Sequence, residues 1–320
     1  MLFRQLQYLV AVAREEHFGR AALRCNVSQP SLSSGIKQLE LRLQVPIVLR
    51  GRRFIGFTNE GNQIIEWAER VLSQYDAMMA ELSKMRGSLE GRVRLGAMPN
   101  SSPILPLLSR LLGKNYPDVE IDINFMGIEE TIIGLQKYTI DVGVTYLQSE
   151  LLNDLKSLHI YDERLSLLVP DTEEYEGMSS ISWKEAAALP LCLLSSSTHE
   201  RKIVDDAFAK AGEKPKSCVT SDSIMNLIYH VMFAGLVTVI PENFLMMSEK
   251  FSGVRVIKLV EPEVSQKVGL VWSSTEPMLP MARAMVSIIK ELKTSGILEN
   301  TGGNNPFYYY IMIRKYICLE

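Results

Sequence analysis

Cysteine is scarce: Cys25, Cys192, Cys218 and Cys318 are the four present, none in a CxxC pair or at metal-ligand spacing. That leaves no disulfide framework and no zinc site to expect. Histidine is equally scarce, limited to His17, His159, His199 and His230. No Ser/His/Asp order, nucleophile elbow, Walker loop or HExxH motif occurs, so neither an enzyme nor a cofactor is expected. No apolar run is long enough to span a bilayer, and no charged-then-apolar signal segment opens the chain. The expectation is a cytoplasmic protein with no membrane partner. Net charge is also small, −3, so the global balance announces no polyanion binder.

The distribution of charge says more. Residues 1–58 hold nine Lys/Arg against three acids, a surplus of six that leaves the remainder at −9. A basic head on an acidic body points to an anionic partner for the head, and nucleic acid fits. At 320 residues, with 47% hydrophobic and 22% charged residues, the chain is a soluble globular protein of two or three domains.

In the head, Phe3, Leu6, Val10 and Ala13 recur at helical spacing over 3–14. Phe18, Ala21 and Ala22 mark a second short helix whose small residues let another helix approach. Asn26-Val27 form a turn, Ser28 is an N-cap, and Pro30 fits the first turn of a third helix over 28–43. Leu32, Ile36, Leu39 and Leu43 fall on one face. The other carries Ser33, Ser34, Lys37 and Leu41, with Gln29 and Ser31 near its start. Small hydroxyls, an amide and a Lys, with no acid before Glu40, suit a major groove. An amphipathic helix with a small polar face reads the same way on its own. The next segment favours DNA: residues 45–49 and 54–57 form a hairpin tipped by Arg50, Arg52 and Arg53, a wing for phosphate contacts.

These residues carry a resemblance. The ordered fragments Leu6 to Ala13, Phe18, Arg20-Ala21-Ala22, Val27 to Ser33, Ile36 to Glu40, Val45-Pro46 and Thr58 to Gly61 resemble the LysR-type transcriptional regulators. The resemblance implies a winged helix-turn-helix over 1–58 and DNA contacts at Gln29, Ser31, Ser33 and Lys37, with Arg50, Arg52 and Arg53 in the wing; Pro30 and Ser34, on the same helix, complete the DNA-binding candidates. One departure stands out. Many members carry Arg-Gln where this chain has Ser34-Gly35, which removes a contact and sets a Gly inside a helix at roughly 1 kcal/mol relative to Ala. Cys25 replaces the family's usual Leu and reads as a buried apolar residue.

Residues 59–90 form a long helix without Pro. Ile64, Ala68, Val71, Tyr75, Met78 and Leu82, continued by Met85 and Leu89, alternate steps of four and three, a heptad seam. Such a face needs a partner, either its own body or a second copy; the resemblance implies dimerisation here. A homodimer or homotetramer would call for a roughly palindromic operator, with RNA polymerase a further possible partner.

From residue 91 strands and helices alternate, giving α/β architecture. The reading is α+β multidomain: an all-α winged head, a linker helix, then two periplasmic-binding-protein-like lobes over 91–300. Lobe I takes about 91–165 and 266–300, lobe II about 166–265, with crossings near 165–170 and 262–268. Ligands in open α/β sheets bind at the carboxyl ends of strands. That rule selects Asn100, Ser101, Ser102, Thr145, Ser196, Ser197, Thr198, Thr220 and Ser221 as effector candidates. Hydroxyls and free N–H groups at helix starts suit a carboxylate or another small anion, although N-capping explains each singly. A thiol-redox regulator using Cys192 and Cys218 is the alternative; both fall in or beside strands read as buried, which favours inert cysteines. Residues 301–320 form an aromatic, β-prone tail beyond the usual end of the family.

Overall fold

The computed structural model describes residues 2–49, 54–244 and 253–295. The hairpin tip (Arg50, Arg52, Arg53) and the 301–320 tail therefore lie outside the described residues.

Three helices build the head: α1 (Leu2–Glu15), α2 (Phe18–Arg24) and α3 (Gln29–Leu43). Side chains satisfy the orphan donors at two of their starts. His17 Nδ1 accepts from the backbone N–H of Gly19 and Arg20 at 3.0 and 3.3 Å, and Ser28 Oγ accepts from Ser31 N–H. The α1 helix buries more than the stripe its spacing predicts. Tyr8, Leu9, Ala11 and Val12 are buried together with Val10, because α2, α3 and α4 all pack on it. On α3, Leu32, Ile36 and Leu39 are buried, but Leu43 is exposed, having run past the end of the three-helix core. Gly35 is buried too, and a Cβ there would lie 2.7 Å from Tyr8 Cδ2. The glycine thus marks a close approach of α1 and α3, which offsets the helix-propensity cost. Cys25 is half-buried rather than part of the core.

The hairpin is pinned at its base. Val48 and Phe57 form an antiparallel bridge, and Phe54 packs edge-on against both Phe57 and Phe18. Glu40, the first acid on α3, turns inward: its Oε1 accepts from Ile47 and Val48 N–H at 2.8 and 3.1 Å.

The linker helix α4 (Asn59–Met85) starts at Thr58, whose Oγ1 accepts from Gly61 N–H. It buries Ile65, Ala68, Ser73, Ala80 and Ser83 within the chain. The rest of the heptad seam lies elsewhere. Ile64 is half-buried, while Val71, Tyr75, Met78, Leu82 and Met85 are exposed. The helix thus has two apolar faces, one covered by its own body and one open. Tyr75 rests its ring on Phe3, 4.4 Å between centroids.

The body opens with β1 (Gly91–Ala97), α5 (Leu105–Asn115), β2 (Val119–Phe125), α6 (Ile128–Gln136) and β3 (Val142–Tyr146). Strands β2, β1 and β3 are parallel neighbours. Next comes β4 (Leu155–Pro170), a single 16-residue strand where the sequence pattern shows only its apolar half, 165–169. Through Arg164 it pairs with β10 (Ser265–Ser273); from Leu165 onward it pairs with β8 (Thr238–Pro241) and β9 (Val254–Val260). One strand therefore runs through both lobes. The first lobe is closed by α10 (Pro280–Thr294), which packs with α5 over a core holding Leu107, Leu112, Val144, Leu270 and Ile288.

The second lobe contains β5 (Ser180–Ser182), α7 (Trp183–Ala186), β6 (Leu191–Leu194), α8 (His199–Lys210), β7 (Ser217–Ser221) and α9 (Ile224–Ala234). The short β5 and α7 have no periodic signature in the sequence. Trp183 anchors α7, fully buried against Phe208, and its indole N–H donates to Pro262 O at 2.9 Å in the segment that returns to lobe I.

Candidate nucleic-acid interface and effector cleft

The exposed face of α3 presents Gln29, Pro30, Ser31, Ser34 and Lys37 to solvent, with Ser33 half-buried at its edge. Ser31 Oγ lies 2.8 Å from Ser28 Oγ at the helix start. No carboxylate competes with a phosphate on this face, because Glu40 is committed to the hairpin base. The sequence places these side chains on one face; the structure adds that Glu40 ties this helix to the wing.

The nine effector candidates disperse. Asn100 lines a small cavity between the lobes, together with Tyr146, Leu193, Glu200, Arg201 and Val204. The space, about 20 Å³, holds roughly one water. Ser101 and Ser102 instead close a single turn of 3₁₀-helix, their hydroxyls donating to Met98 O and Pro99 O. Thr198 is the N-cap of α8, accepting from Arg201 N–H. Ser221 Oγ accepts from Ser223 N–H. Ser196, Ser197 and Thr220 are exposed. For Ser101, Ser102, Thr198 and Ser221 local capping and turn chemistry accounts for the hydroxyls. Thr145 is buried inside its sheet, and the next residue, Tyr146, reaches the cavity instead; neighbours on a strand point to opposite faces.

Behind the cavity stands a polar cluster that no sequence motif marks. Tyr146 OH donates to Glu163 Oε1 at 2.6 Å, and Asn100 Nδ2 donates to Tyr146 OH and Glu163 Oε1 at 3.1 and 3.4 Å. Asn243 Nδ2 donates to Asn100 O and Tyr161 OH at 3.3 and 3.2 Å. Glu163 is 3% exposed, and burial lifts its carboxyl to about 8. Burial, reinforced by the Glu163 charge, also holds the Tyr146 phenol well above its ordinary range. Among the described residues, Asn100 Oδ1, Glu163 Oε2 and Asn243 Oδ1 are buried without a hydrogen-bond partner. Each such group costs about 1–3 kcal/mol, so the cluster is poorly explained as plain structure. A non-periodic Glu in the middle of β4 is the signal that would have found it.

A second constellation joins lobe I to the linker helix. Arg94 on β1 grips Asp141 through Nη2–Oδ1 and Nε–Oδ2 contacts of 2.6 and 3.1 Å. It also donates to Tyr138 O and, across to α4, to Ser73 Oγ. Lys137–Glu66 at 2.9 Å and Arg283–Glu81 at 3.5 Å add two more bridges between lobe I and α4.

Cys192 and Cys218 are both free and differ in exposure. Cys192 is buried, and burial lifts its thiol to about 11. Cys218 is exposed, contrary to the expectation of a buried strand, because β7 pairs only with β6 in its two-stranded sheet. Cys192 aligns with Val219, not Cys218, in the parallel β6–β7 register. The two cysteines therefore point to opposite faces of the sheet.

No helix among the described residues is long and apolar enough to cross a membrane. Comparison with known proteins agrees with the architecture. The model for the bacterial regulatory helix-turn-helix protein, lysR family, matches residues 3–62, and that for the LysR substrate binding domain matches 86–293. The hydrogen peroxide-inducible genes activator of Haemophilus influenzae is 26% identical, covering 91% of this chain and 97% of its own. The uncharacterized HTH-type transcriptional regulator YnfL of Escherichia coli is 27% identical, covering 88% and 95%. Among solved structures, full-length OxyR from Pseudomonas aeruginosa, with one cysteine replaced by aspartate, matches with a TM-score of 0.69 at 24% identity, over 91% of this chain and 97% of that one. CbnR in complex with its target DNA matches with a TM-score of 0.68 at 22% identity, over 91% and 99%. The chain belongs to the LysR family of transcriptional regulators, which pair a DNA-binding helix-turn-helix with an effector-binding domain and are not enzymes.

Proposed function

We propose that this regulator reads a promoter through Gln29, Pro30, Ser31, Ser33, Ser34 and Lys37, with Arg50, Arg52 and Arg53 on the flanking phosphates. Its output is set by a small molecule held between the two lobes, and it works as a homodimer or homotetramer assembled through α4. The observation that carries the DNA reading is the acid-free, exposed face of α3, with its one nearby carboxylate spent on fixing the wing. Support for assembly comes from the open stripe of Val71, Met78 and Leu82 on α4, side chains whose burial is worth about 1.5–3 kcal/mol each.

The coupling follows from connectivity. The lobes share β4 and the segment between β9 and β10, so they can rotate about those crossings. Lobe I is fastened to α4 through Arg94, Lys137 and Arg283, so a shift of the lobes carries the linker helix and the heads. An effector does this only through different affinity for the two arrangements. The relatives named for hydrogen peroxide do not extend that chemistry here, since the Cys192 thiol is buried and protonated and Cys218 faces away from it.

The test is a mobility shift of the full chain on its own upstream region. Lys37→Ala should weaken retention and flatten the dependence of log affinity on log salt by about one unit. Charge reversal at Lys37, Arg52 and Arg53 that left retention intact would refute the proposal.

A further inference from the structure

Glu40 accepts every backbone N–H of the connector that leaves α3. Its carbonyl O accepts from Gln44 and Val45, the latter at 3.2 Å, and its carboxylate accepts from Ile47 and Val48 at 2.8 and 3.1 Å. Between them stands Pro46, which has no N–H to place. The connector from 44 to 48 is thus laid onto one residue of the helix that faces DNA. Thr58, at the start of α4, holds the same connector from the other side. Its N–H donates to Ile47 O at 2.9 Å and its hydroxyl to Pro46 O at 2.7 Å, while Oγ1 accepts from Gly61 N–H at 2.8 Å. Gly61 lies so close that a Cβ on it would stand 2.2 Å from Ile47 O. The Ile47 side chain is fully buried with Leu9, Leu39 and Ile65, one each from α1, α3 and α4.

We infer that Ile47 is the joint through which the linker helix aims the recognition helix, with Glu40, Thr58 and Gly61 as positioning residues for DNA recognition. The inference rests on the proposal that α3 reads the promoter. Ile47 meets α3 through its N–H, α4 through its carbonyl, and both through its side chain. A turn of α4 therefore reaches α3 without passing through flexible chain. Contacts to base edges demand placement to about 0.5 Å and 10–20°. Phosphate contacts tolerate more displacement and carry the sequence-independent part of the affinity. Loosening the joint therefore costs discrimination between sequences before it costs attraction to DNA. A carboxylate that served only to satisfy N–H groups would instead show itself in stability, with both kinds of DNA affected alike.

The experiment measures the affinity of the full chain for its own upstream region and for a scrambled duplex of equal length and composition, at one salt concentration. Glu40→Ala, Thr58→Val and Gly61→Ala should each lower the preference for the upstream region by about tenfold, the size of one lost base contact. Affinity for the scrambled duplex should change by less than about twofold. Glu40→Gln keeps an oxygen for both N–H groups and Thr58→Ser keeps the hydroxyl, so both should hold the native preference. Gly61→Ala is the most telling arm, because the same change inside a helix ordinarily stabilises it. If Glu40→Ala fails to fold, Thr58→Val and Gly61→Ala decide by the same criteria. The inference falls if the preference is unchanged, if both affinities drop in parallel, or if Glu40→Gln is as defective as Glu40→Ala. If Lys37→Ala lowers the preference and the joint variants do not, the joint is wrong and the reading face stands. If the joint variants lower it and Lys37→Ala does not, the reading face is wrong and the joint stands.

Discussion

The Glu163 carboxyl makes a sharp demand on the pH dependence of stability. In the folded chain burial lifts its pKa to about 8; in the unfolded chain it titrates near 4.3. Between those values the folded state holds a proton that the unfolded state has lost. Stability therefore is greatest below the unfolded value and falls as pH rises, by at most about 1.4 kcal/mol per unit. The loss levels off above the folded value, where both states are ionised. A gap of that size integrates to about 5 kcal/mol, comparable with the whole stability of a modest domain. Glu69, Asp76 and Glu242 are also raised by burial, whereas Glu15, Glu185, Glu263 and Glu276 are lowered by their partners. The total curve is a sum, so the informative quantity is the difference between the native chain and Glu163→Gln. Urea unfolding, followed by the fluorescence of buried Trp183 in lobe II and Trp272 in lobe I, reports both sides of the crossing. The variant should match the native chain near pH 4 and exceed it by several kcal/mol at pH 9, with most of the divergence between. Parallel curves would mean that Glu163 ionises freely, and that water reaches the cluster.

Three further outcomes follow from the packing. Gly35→Ala gains about 1 kcal/mol of helix propensity but sets a Cβ 2.7 Å from the buried Tyr8 ring; overpacking costs about 1–3 kcal/mol. The variant should therefore melt lower and bind promoter DNA more weakly, and a higher melting temperature would show that α1 and α3 have room to separate. Met78→Glu with Leu82→Glu places charge on the open stripe of α4. It should yield monomers in analytical ultracentrifugation, whereas an unchanged sedimentation profile would move the interface off α4. Asp141→Asn leaves the mostly buried Arg94 without its carboxylate, a loss of about 3–5 kcal/mol measurable by urea unfolding, and a near-neutral result would show that solvent solvates the guanidinium.

Local chemistry explains what the sequence revealed. The head could be read because helix spacing, the Ser28 cap and Pro30 act within a turn or two of themselves. The reason for Gly35 could not be read, because it belongs to Tyr8 on another helix. On β3 all five residues are buried, so no polar alternation says which face meets the cleft. Tyr146 lines the cavity and its neighbour Thr145 does not, a difference of one residue in strand parity. Thr198 caps α8 and the Ser101 hydroxyl donates back to Met98 O, so these two hydroxyls are engaged locally. On β4 the run Lys156, Ser157, His159, Asp162 and Glu163 hid the first half of a strand, since only its apolar second half resembles a core segment.

That hidden half explains why Glu163 is where it is. A strand shared by two lobes must change partners somewhere, and here it does so at Arg164 and Leu165. Glu163 stands beside that change, bonded to Tyr146 of lobe I, with Glu200 of lobe II acting on its charge. A packed apolar residue at this place would hold one lobe arrangement by contact alone. A buried carboxyl with an unpaired oxygen instead leaves this arrangement short of a partner that a ligand or a water can supply. The energetic deficit thus lies at the crossing, while lobe I transmits any movement to α4 through Arg94 and Ser73. Under this arrangement, replacing Glu163 by Gln should both stabilise the lobes at high pH and disconnect promoter output from the effector.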